Sequence, residues 1–172
     1  MKSNSIELVT EFDSIGVPIG TQTFVTRPTI KFFLVYECVS FLASLKTNPN
    51  NNEMHQMVDL VIRIYDNQFT KTQIMNGLDR QNAIIELYEQ ILFVASGKHI
   101  DEEVSSEVKG TSVKSWEDYK NNLKATIKDM TKDGNQSVNT VLDMPFYFVF
   151  DELNGESKKK KQVSSMFEAF GM

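Results

Sequence analysis

Few residues of the types used in catalysis or metal binding are present in this sequence. The two histidines, His55 and His99, are far apart, the single cysteine is Cys38, and no HExxH pattern occurs. A catalytic nucleophile needs a neighbouring base, and a metal site needs several ligands at suitable spacing. Cys38 lies within an apolar stretch, where a thiol usually packs as a small hydrophobic group. We therefore expect both histidines at the surface and Cys38 in the core.

Sites built on phosphate-binding loops or on carboxylates are also not indicated. The glycine patterns of P-loops and of dinucleotide-binding folds do not occur. Clusters of acidic residues lie at 101–103, 117–118 and 151–152, which are predicted linker or helix-end positions where solvation and capping account for them. The sequence therefore predicts a protein that is not an enzyme and that uses neither a cofactor nor a metal ion.

The composition narrows the class of protein further. Hydrophobic residues make up 41% and charged residues 24% of 172 residues, which is typical of globular proteins. The net charge of −5 argues against a dedicated nucleic-acid-binding protein. No apolar run is long enough to span a bilayer, and no N-terminal segment resembles a secretory signal. A single cysteine fits a reducing compartment. We expect a soluble intracellular protein without nucleic-acid or membrane partners.

The elements that would carry a binding site begin with a short β-hairpin. Ile6 and Leu8 alternate with polar residues, residues 21–25 form a second candidate strand, and residues 16–20 between them contain glycine and proline. These patterns predict two paired strands joined by a turn. Because a two-stranded sheet is only marginally stable alone in water, we expect the hairpin to pack on helices.

The rest of the N-terminal part has the periodicity of α-helices. Apolar residues at spacings of three and four predict helices that begin at Pro28 and at Glu53. Thr70 with Gln73 forms a capping box for a short helix, and Asp79 can cap the helix after it. The predicted core face of that last helix consists of Ala83, Ile84, Leu87, Tyr88, Ile91 and Leu92.

The composition changes after residue 97. Residues 98–114 are polar and show no apolar period, which predicts a linker between an N-terminal domain, 1–97, and a C-terminal helical module, 115–172. Ser115 and Asp118 predict the cap of the first helix of the module. The predicted fold is therefore mainly α, with an N-terminal short β-hairpin packed on a helical domain, followed by a small C-terminal helical module.

The most informative part of the predicted module is an aromatic segment. Residues 144–150 are consecutive apolar residues, so their side chains point to all sides of a helix that a small module cannot cover completely. They either belong to the core or form a core and a partner site together. Val163, Met166, Phe167 and Phe170 have the spacing of an amphipathic helix that either docks into a groove or folds back on the module.

A row of lysines accompanies the apolar face of the first helix of the module. Lys120, Lys124, Lys128 and Lys132 recur every four residues. Like charges at this spacing repel each other weakly, so a solvated helix face explains them. The functional alternative is a contact with an acidic stretch of a partner.

Two groups of motifs resemble the tail assembly chaperone family of siphophages that infect Gram-positive bacteria. Residues 65–70, YDNQFT, followed by residues 74–78, IMNGL, are similar to that family's core signature of a long helix, a turn and a short helix ending in Gly-Leu. Residues 118–120, 132–134, 141–146 and 167–171 resemble motifs of its C-terminal portion. The chain thus looks like the long form that carries both portions, which in such phages are often joined by a ribosomal frameshift.

The resemblance implies a function and a set of partners. The N-terminal domain would coat the tape measure protein and keep it soluble, and the C-terminal module would recruit subunits of the major tail (tube) protein, with self-association also expected. The protein would act in the cytoplasm of the bacterial host and would not remain in the mature virion. Our hypothesis for the partner-binding residues is the set Met144, Pro145, Phe146, Phe148, Phe150, Phe167 and Phe170.

Two other classes of function stay open from the sequence. The first is a non-catalytic helical adaptor or regulatory protein of a phage or mobile element, which would oligomerise through its aromatic helices. The second is a DNA-binding regulator with a helix-turn-helix between Thr70 and Leu92, where only Lys71 and Arg80 supply positive charge. Salt-dependent DNA binding would favour the second class.

Overall fold

The structure is a computed structural model that describes residues 4–45, 49–79, 81–96 and 115–146, without the side chain of Asp133. Within these residues the fold is mainly α, with six helices and one two-stranded antiparallel sheet at the N-terminal side. The predicted fold class is therefore confirmed. No helix among the described residues combines the length and the apolar character needed to cross a membrane.

The predicted β-hairpin is present and consists of strands β1 (Ser5–Phe12) and β2 (Pro18–Val25). Its turn lies at residues 13–17, before the predicted turn at 16–20. The Asp13 carboxylate accepts hydrogen bonds from the backbone N–H groups of Ile15 and Val17, at 2.9 and 2.7 Å, and thereby closes the turn early. Gly16 adopts a φ of 84°, which favours glycine.

Helices α1 (Phe32–Ser44), α2 (Asn51–Ile64), α3 (Lys71–Gly77) and α4 (Ala83–Ser96) follow the hairpin. The predicted capping box of Thr70 and Gln73 starts α3 as expected. Helix α2 begins at Asn51, two residues before its predicted start at about Glu53. Asn50 and Glu53 form a capping box of their own, with 3.0 Å from the Glu53 N–H to the Asn50 side chain and 2.7 Å from the Asn50 N–H to the Glu53 carboxylate.

The predicted start of α1 at Pro28 was also wrong, because the residues just before Phe32 are extended. Lys31 forms an antiparallel β-bridge with Pro145. The Phe32 N–H donates to the Met144 carbonyl at 2.8 Å, and the Phe146 N–H donates to the Ile30 carbonyl at 2.9 Å. A backbone that pairs with a distant extended segment cannot also form helical hydrogen bonds, so α1 begins only after this bridge.

Helices α5 (Trp116–Asp133) and α6 (Val138–Asp143) complete the described chain. The predicted cap of α5 is present, since the Ser115 hydroxyl accepts a hydrogen bond from the Asp118 N–H at 3.1 Å. Leu123 of α5 and Val141 of α6 are buried in the same hydrophobic core as α1 to α4. The domain boundaries at 97 and 115 stay a prediction, while the described parts on either side of them share one core.

Helix α1 lies at the centre of this core. It contacts α2, α4, α5 and α6, and its side chains at Phe32, Val35, Cys38 and Val39 are completely buried. Strand β1 contacts α3, and Ile6 and Leu8 from one face of the hairpin point into the core. The prediction that the hairpin packs on helices is therefore confirmed, and the opposite face and far end of the hairpin are left at the surface.

Candidate interaction surfaces

The structure describes three of the seven predicted partner-binding residues. Met144, Pro145 and Phe146 are half-buried, whereas Phe148, Phe150, Phe167 and Phe170 lie outside the described residues. The Phe146 ring stacks on Phe32, with 6.0 Å between ring centroids. These three residues therefore hold the end of α6 against the start of α1, and their predicted role in binding a partner stays a prediction.

A cleft of about 420 Å³, with three cationic residues in its lining, lies beside this bridge. Its cationic residues are paired with carboxylates: Lys31 with Asp143 at 2.9 Å, Arg63 with Glu37 at 2.7 Å, and Arg27 with Asp66. All three pairs are well exposed, so each contributes little to stability. Because each of these cations already has an anionic neighbour, the cleft is not organised to bind an anion.

The signature turn at residues 65–70 attaches the hairpin to the helices. Asp66 and Asn67 adopt left-handed backbone conformations, with φ of 55° and 59°, which reverse the chain after α2. The Gln68 amide nitrogen then donates to the Val25 carbonyl at the end of β2, at 2.9 Å. The Phe69 ring meets Phe24 edge-on, with 5.0 Å between centroids. The motif that carries the family resemblance thus has a structural role: it holds the end of β2 against the helices through Gln68 and Phe69.

A buried polar network, which sequence reasoning missed, completes the attachment. The Gln90 side-chain oxygen accepts hydrogen bonds from the Tyr65 hydroxyl and from the Asn4 side-chain amide, both at 2.6 Å. The Gln90 amide nitrogen donates to the Ser5 carbonyl at 3.3 Å. Gln90 is only 3% exposed. Its place on α4 next to the buried side chains of Leu87 and Ile91 was the signal in the sequence that Gln90 would also be buried.

Burial also changes the acid–base properties of two groups in the core. It raises the pKa of the Tyr65 hydroxyl well above its usual value, with a smaller contribution from the Glu86 carboxylate. It likewise raises the pKa of the Cys38 thiol, to which Glu37 adds. Both groups stay protonated in the folded protein, and the buried position predicted for Cys38 is confirmed. A thiol of this kind is a poor nucleophile.

The other candidate chemical groups lie at the surface or outside the described residues. His55 is exposed, as predicted, and His99 is not described. Among the residues that the structure describes, no group of His, Cys, Asp and Glu is arranged to hold a metal ion. Lys124, Lys128 and Lys132 are exposed on α5, which fits the solvated face considered above.

The first exposed apolar surface is the far end of the hairpin, here called the hairpin tip, formed by Phe12, Ile15, Val17 and Ile19. Ile15 is 83% exposed and Ile19 is 64% exposed. These side chains contribute little to the core, and turns are usually built from polar residues and glycine. The presence of four apolar residues within the eight residues 12–19 was therefore a signal of a contact surface, and sequence reasoning overlooked it.

The second exposed apolar surface is a groove of about 450 Å³ between helices, here called the α4 groove. Its lining consists of Leu42, Leu45, Pro49, Met57, Ile84, Ile85, Tyr88 and Trp116. Ile84 and Ile85 are 48% and 57% exposed. The prediction that Ile84 faces the core was wrong, because the buried side of α4 is centred on Leu87 and Ile91, and Ile84 is turned towards the groove.

A comparison with protein families identifies the chain. A family model described as phage tail chaperone protein matches residues 1–111. The match includes the hairpin, α1 to α4, the signature turn and both exposed apolar surfaces except Trp116, and it ends before α5. No curated protein and no solved structure matches the chain. Because the match covers well over half of the sequence, the chain belongs to the phage tail chaperone family.

Proposed function

We propose that this protein binds the tape measure protein of a phage, keeps it soluble, and recruits tail tube subunits during tail assembly. Its family supports a role as a tail assembly chaperone that interacts with other tail proteins, and chaperones of this family are generally non-catalytic. The proposal also places the protein in the host cytoplasm and outside the mature virion. The observation that carries the proposal is the apolar hairpin tip.

The hairpin tip is suited to cover an apolar segment of another polypeptide. The hydrophobic core of the described residues includes Ile6, Leu8 and Phe24 of the hairpin and none of the four tip residues. Full burial of one large apolar side chain contributes about 1.5–3 kcal/mol before the cost of association is subtracted. Several such weak contacts, repeated by many copies along a long client, would give strong but displaceable coverage.

Co-expression with the tape measure protein of the same phage tests this function. We expect a soluble complex that contains several copies of the chaperone, whereas the tape measure protein alone is expected to aggregate. If the tape measure protein stays insoluble and no complex is recovered, the proposed function is wrong. The readouts are the soluble fraction and the mass of the complex.

A matched pair of variants tests the contribution of the hairpin tip. Ile15→Asp places a charge on the tip, and we expect it to abolish solubilisation of the tape measure protein. Val138→Asp is the control, because Val138 is also an exposed apolar residue, at the first position of α6, away from the hairpin. An Asp there suits a helix N-terminus. Equal activity of the two variants would exclude the tip as the contact.

Recruitment of tube subunits by residues 144–150 with Phe167 and Phe170 is the second part of the proposal. Phe146→Ala with Phe148→Ala should impair capture of the tube protein and leave tape measure binding intact. Because Phe146 stacks on Phe32, the variant Phe148→Ala alone serves as the comparison that leaves this contact in place. Loss of both activities together would mean that these residues belong to the core.

A further inference from the structure

The α4 groove is an open apolar surface among the residues that the structure describes. It is formed by side chains from the end of α1, from α2, from α4 and from the start of α5. Ile84 and Ile85 leave about half of their surface exposed there. A concave apolar surface between helices is the form of site that binds the apolar face of an amphipathic helix.

From this geometry we propose that residues 162–170 of the same chain dock in the α4 groove. Val163, Met166, Phe167 and Phe170 repeat at the spacing that places four apolar side chains on one face of a helix. Such a face needs an apolar partner surface, and the groove provides one on the same molecule.

Charge supports this occupant. Residues 158–161 are four consecutive lysines that come just before the apolar face of the segment. Acidic residues follow directly on groove residues in the chain: Glu117 and Asp118 come after Trp116, and Glu89 comes after Tyr88. Glu117 and Asp118 are exposed and occupy the first turn of α5. Glu117 already pairs with Lys120 at 3.4 Å, and Asp118 and Glu89 are the other two carboxylates next to groove residues in the sequence. The lysines of residues 158–161 are complementary in charge to these carboxylates.

The length of the connecting chain permits docking within one molecule. Phe146, the last described residue, stacks on Phe32 at the start of α1, whereas Leu42 and Leu45 of the groove lie at the other end of that helix. The 13 residues of α1 span about 20 Å. The 16 residues 147–162 can extend to about 50 Å. Even with one or two helical turns, the connection reaches the groove.

Tryptophan fluorescence of the full-length protein tests the docking directly, because Trp116 is the only tryptophan and lines the groove. In Phe167→Glu with Phe170→Glu, we expect Trp116 emission to shift to longer wavelength and its quenching by acrylamide to increase. The control Ser165→Glu with Ala169→Glu adds the same two charges on the opposite side of the segment, and its emission should match the unchanged protein. Identical spectra and quenching for all three proteins would overturn the proposal.

A peptide of residues 158–172, labelled with a fluorophore, provides the second measurement. The peptide should bind the variant protein that carries Phe167→Glu and Phe170→Glu, and it should reverse the change in Trp116 quenching. Adding Ile85→Glu in the groove should abolish this binding. The tethered segment acts at an effective concentration in the millimolar range, so the peptide should bind the unchanged protein far more weakly. Equal binding to both proteins, or emission of the unchanged protein that depends on its concentration, would contradict docking within one chain.

Docking has a consequence for the proposed function, and only this consequence rests on that function. Phe167 and Phe170 belong to the proposed recruiting surface, so a docked segment would hide them until a partner displaces it. The fluorescence experiment uses the isolated protein and tests docking alone, whereas co-expression with the tape measure protein tests the function. Failure of one experiment leaves the other proposal intact.

Discussion

Replacing Gln90 by leucine is expected to leave two buried hydrogen-bond donors without an acceptor. The Gln90 side-chain oxygen accepts from the Tyr65 hydroxyl and from the Asn4 amide, both at 2.6 Å, and Tyr65 is completely buried. The side-chain nitrogen of Gln90 also donates to the Glu86 carboxylate at 2.8 Å and to the Ser5 carbonyl at 3.3 Å. Leucine has a similar volume and cannot accept or donate. The network that joins the start of β1 to α2 and α4 would therefore be lost while the packing is nearly preserved.

The expected magnitudes follow from the cost of unpaired buried donors. Each unsatisfied donor costs about 2 kcal/mol, so Gln90→Leu should lower the free energy of unfolding by about 3–4 kcal/mol. Tyr65→Phe in the unchanged protein removes one hydrogen bond and leaves the Gln90 oxygen paired with Asn4, at a cost of about 1 kcal/mol. In the Gln90→Leu background, the same Tyr65→Phe change removes an unpaired hydroxyl and should stabilise the protein by about 1–2 kcal/mol.

Urea unfolding followed by far-ultraviolet circular dichroism measures all four proteins of this double-mutant cycle. The four transitions should differ in midpoint and share one dependence on urea concentration, because the surface exposed on unfolding hardly changes. The decisive quantity is the sign of the Tyr65→Phe effect in the two backgrounds. If Tyr65→Phe lowers the free energy of unfolding equally in both, the Tyr65 hydroxyl and Gln90 are not coupled and the reasoning about the network is refuted.

Three further predictions use the same unfolding measurement. Gly77→Ala should destabilise the protein by about 1–3 kcal/mol despite the better helix propensity of alanine, because an added Cβ would lie 2.8 Å from the Val9 carbonyl oxygen. The control is Asn76→Ala at the exposed neighbouring position. Equal effects of the two substitutions would contradict this close contact. Asn50→Ala should lower the free energy of unfolding by about 1 kcal/mol, because it removes the cap of α2. Asn52→Ala, at the second position of the helix, should lower it clearly less. Burial raises the pKa of Cys38 and of Tyr65, so at high pH only the unfolded chain releases those protons. The free energy of unfolding should therefore stay unchanged up to the ordinary pKa values of thiols and phenols, about 8.5 and 10, and decrease above them. Tyr65→Phe should weaken the decrease above pH 10, and an unchanged slope would argue against the contribution of Tyr65.

Local patterns predicted most of the elements. The capping residues Thr70 and Ser115 gave the starts of α3 and α5, because a cap is formed by residues three positions apart and needs no distant partner. The hairpin was predictable for the same reason. The signature turn could be recognised as a motif, but its task of holding the end of β2 through Gln68 depends on residues 43 positions apart.

The errors arose where distant parts of the chain decide the local conformation. Pro28 is a suitable first residue of a helix, yet Lys31 is extended because it pairs with Pro145. Ile84 fits a helical stripe, yet the neighbouring helices meet α4 on another side. The surfaces were hardest to predict, since the exposure of Ile15 at the tip is evident only once the structure shows which apolar residues form the core.

The central position of α1 also constrains the order in which the protein can form on the ribosome. Helix α1 leaves the ribosome early, but its partner α5 begins at Trp116, 84 residues after Phe32. At about 5–20 residues per second, roughly 4–17 s of translation separate them. During that interval α1 lacks its contact with α5, so the nascent chain exposes apolar surface that the folded protein buries.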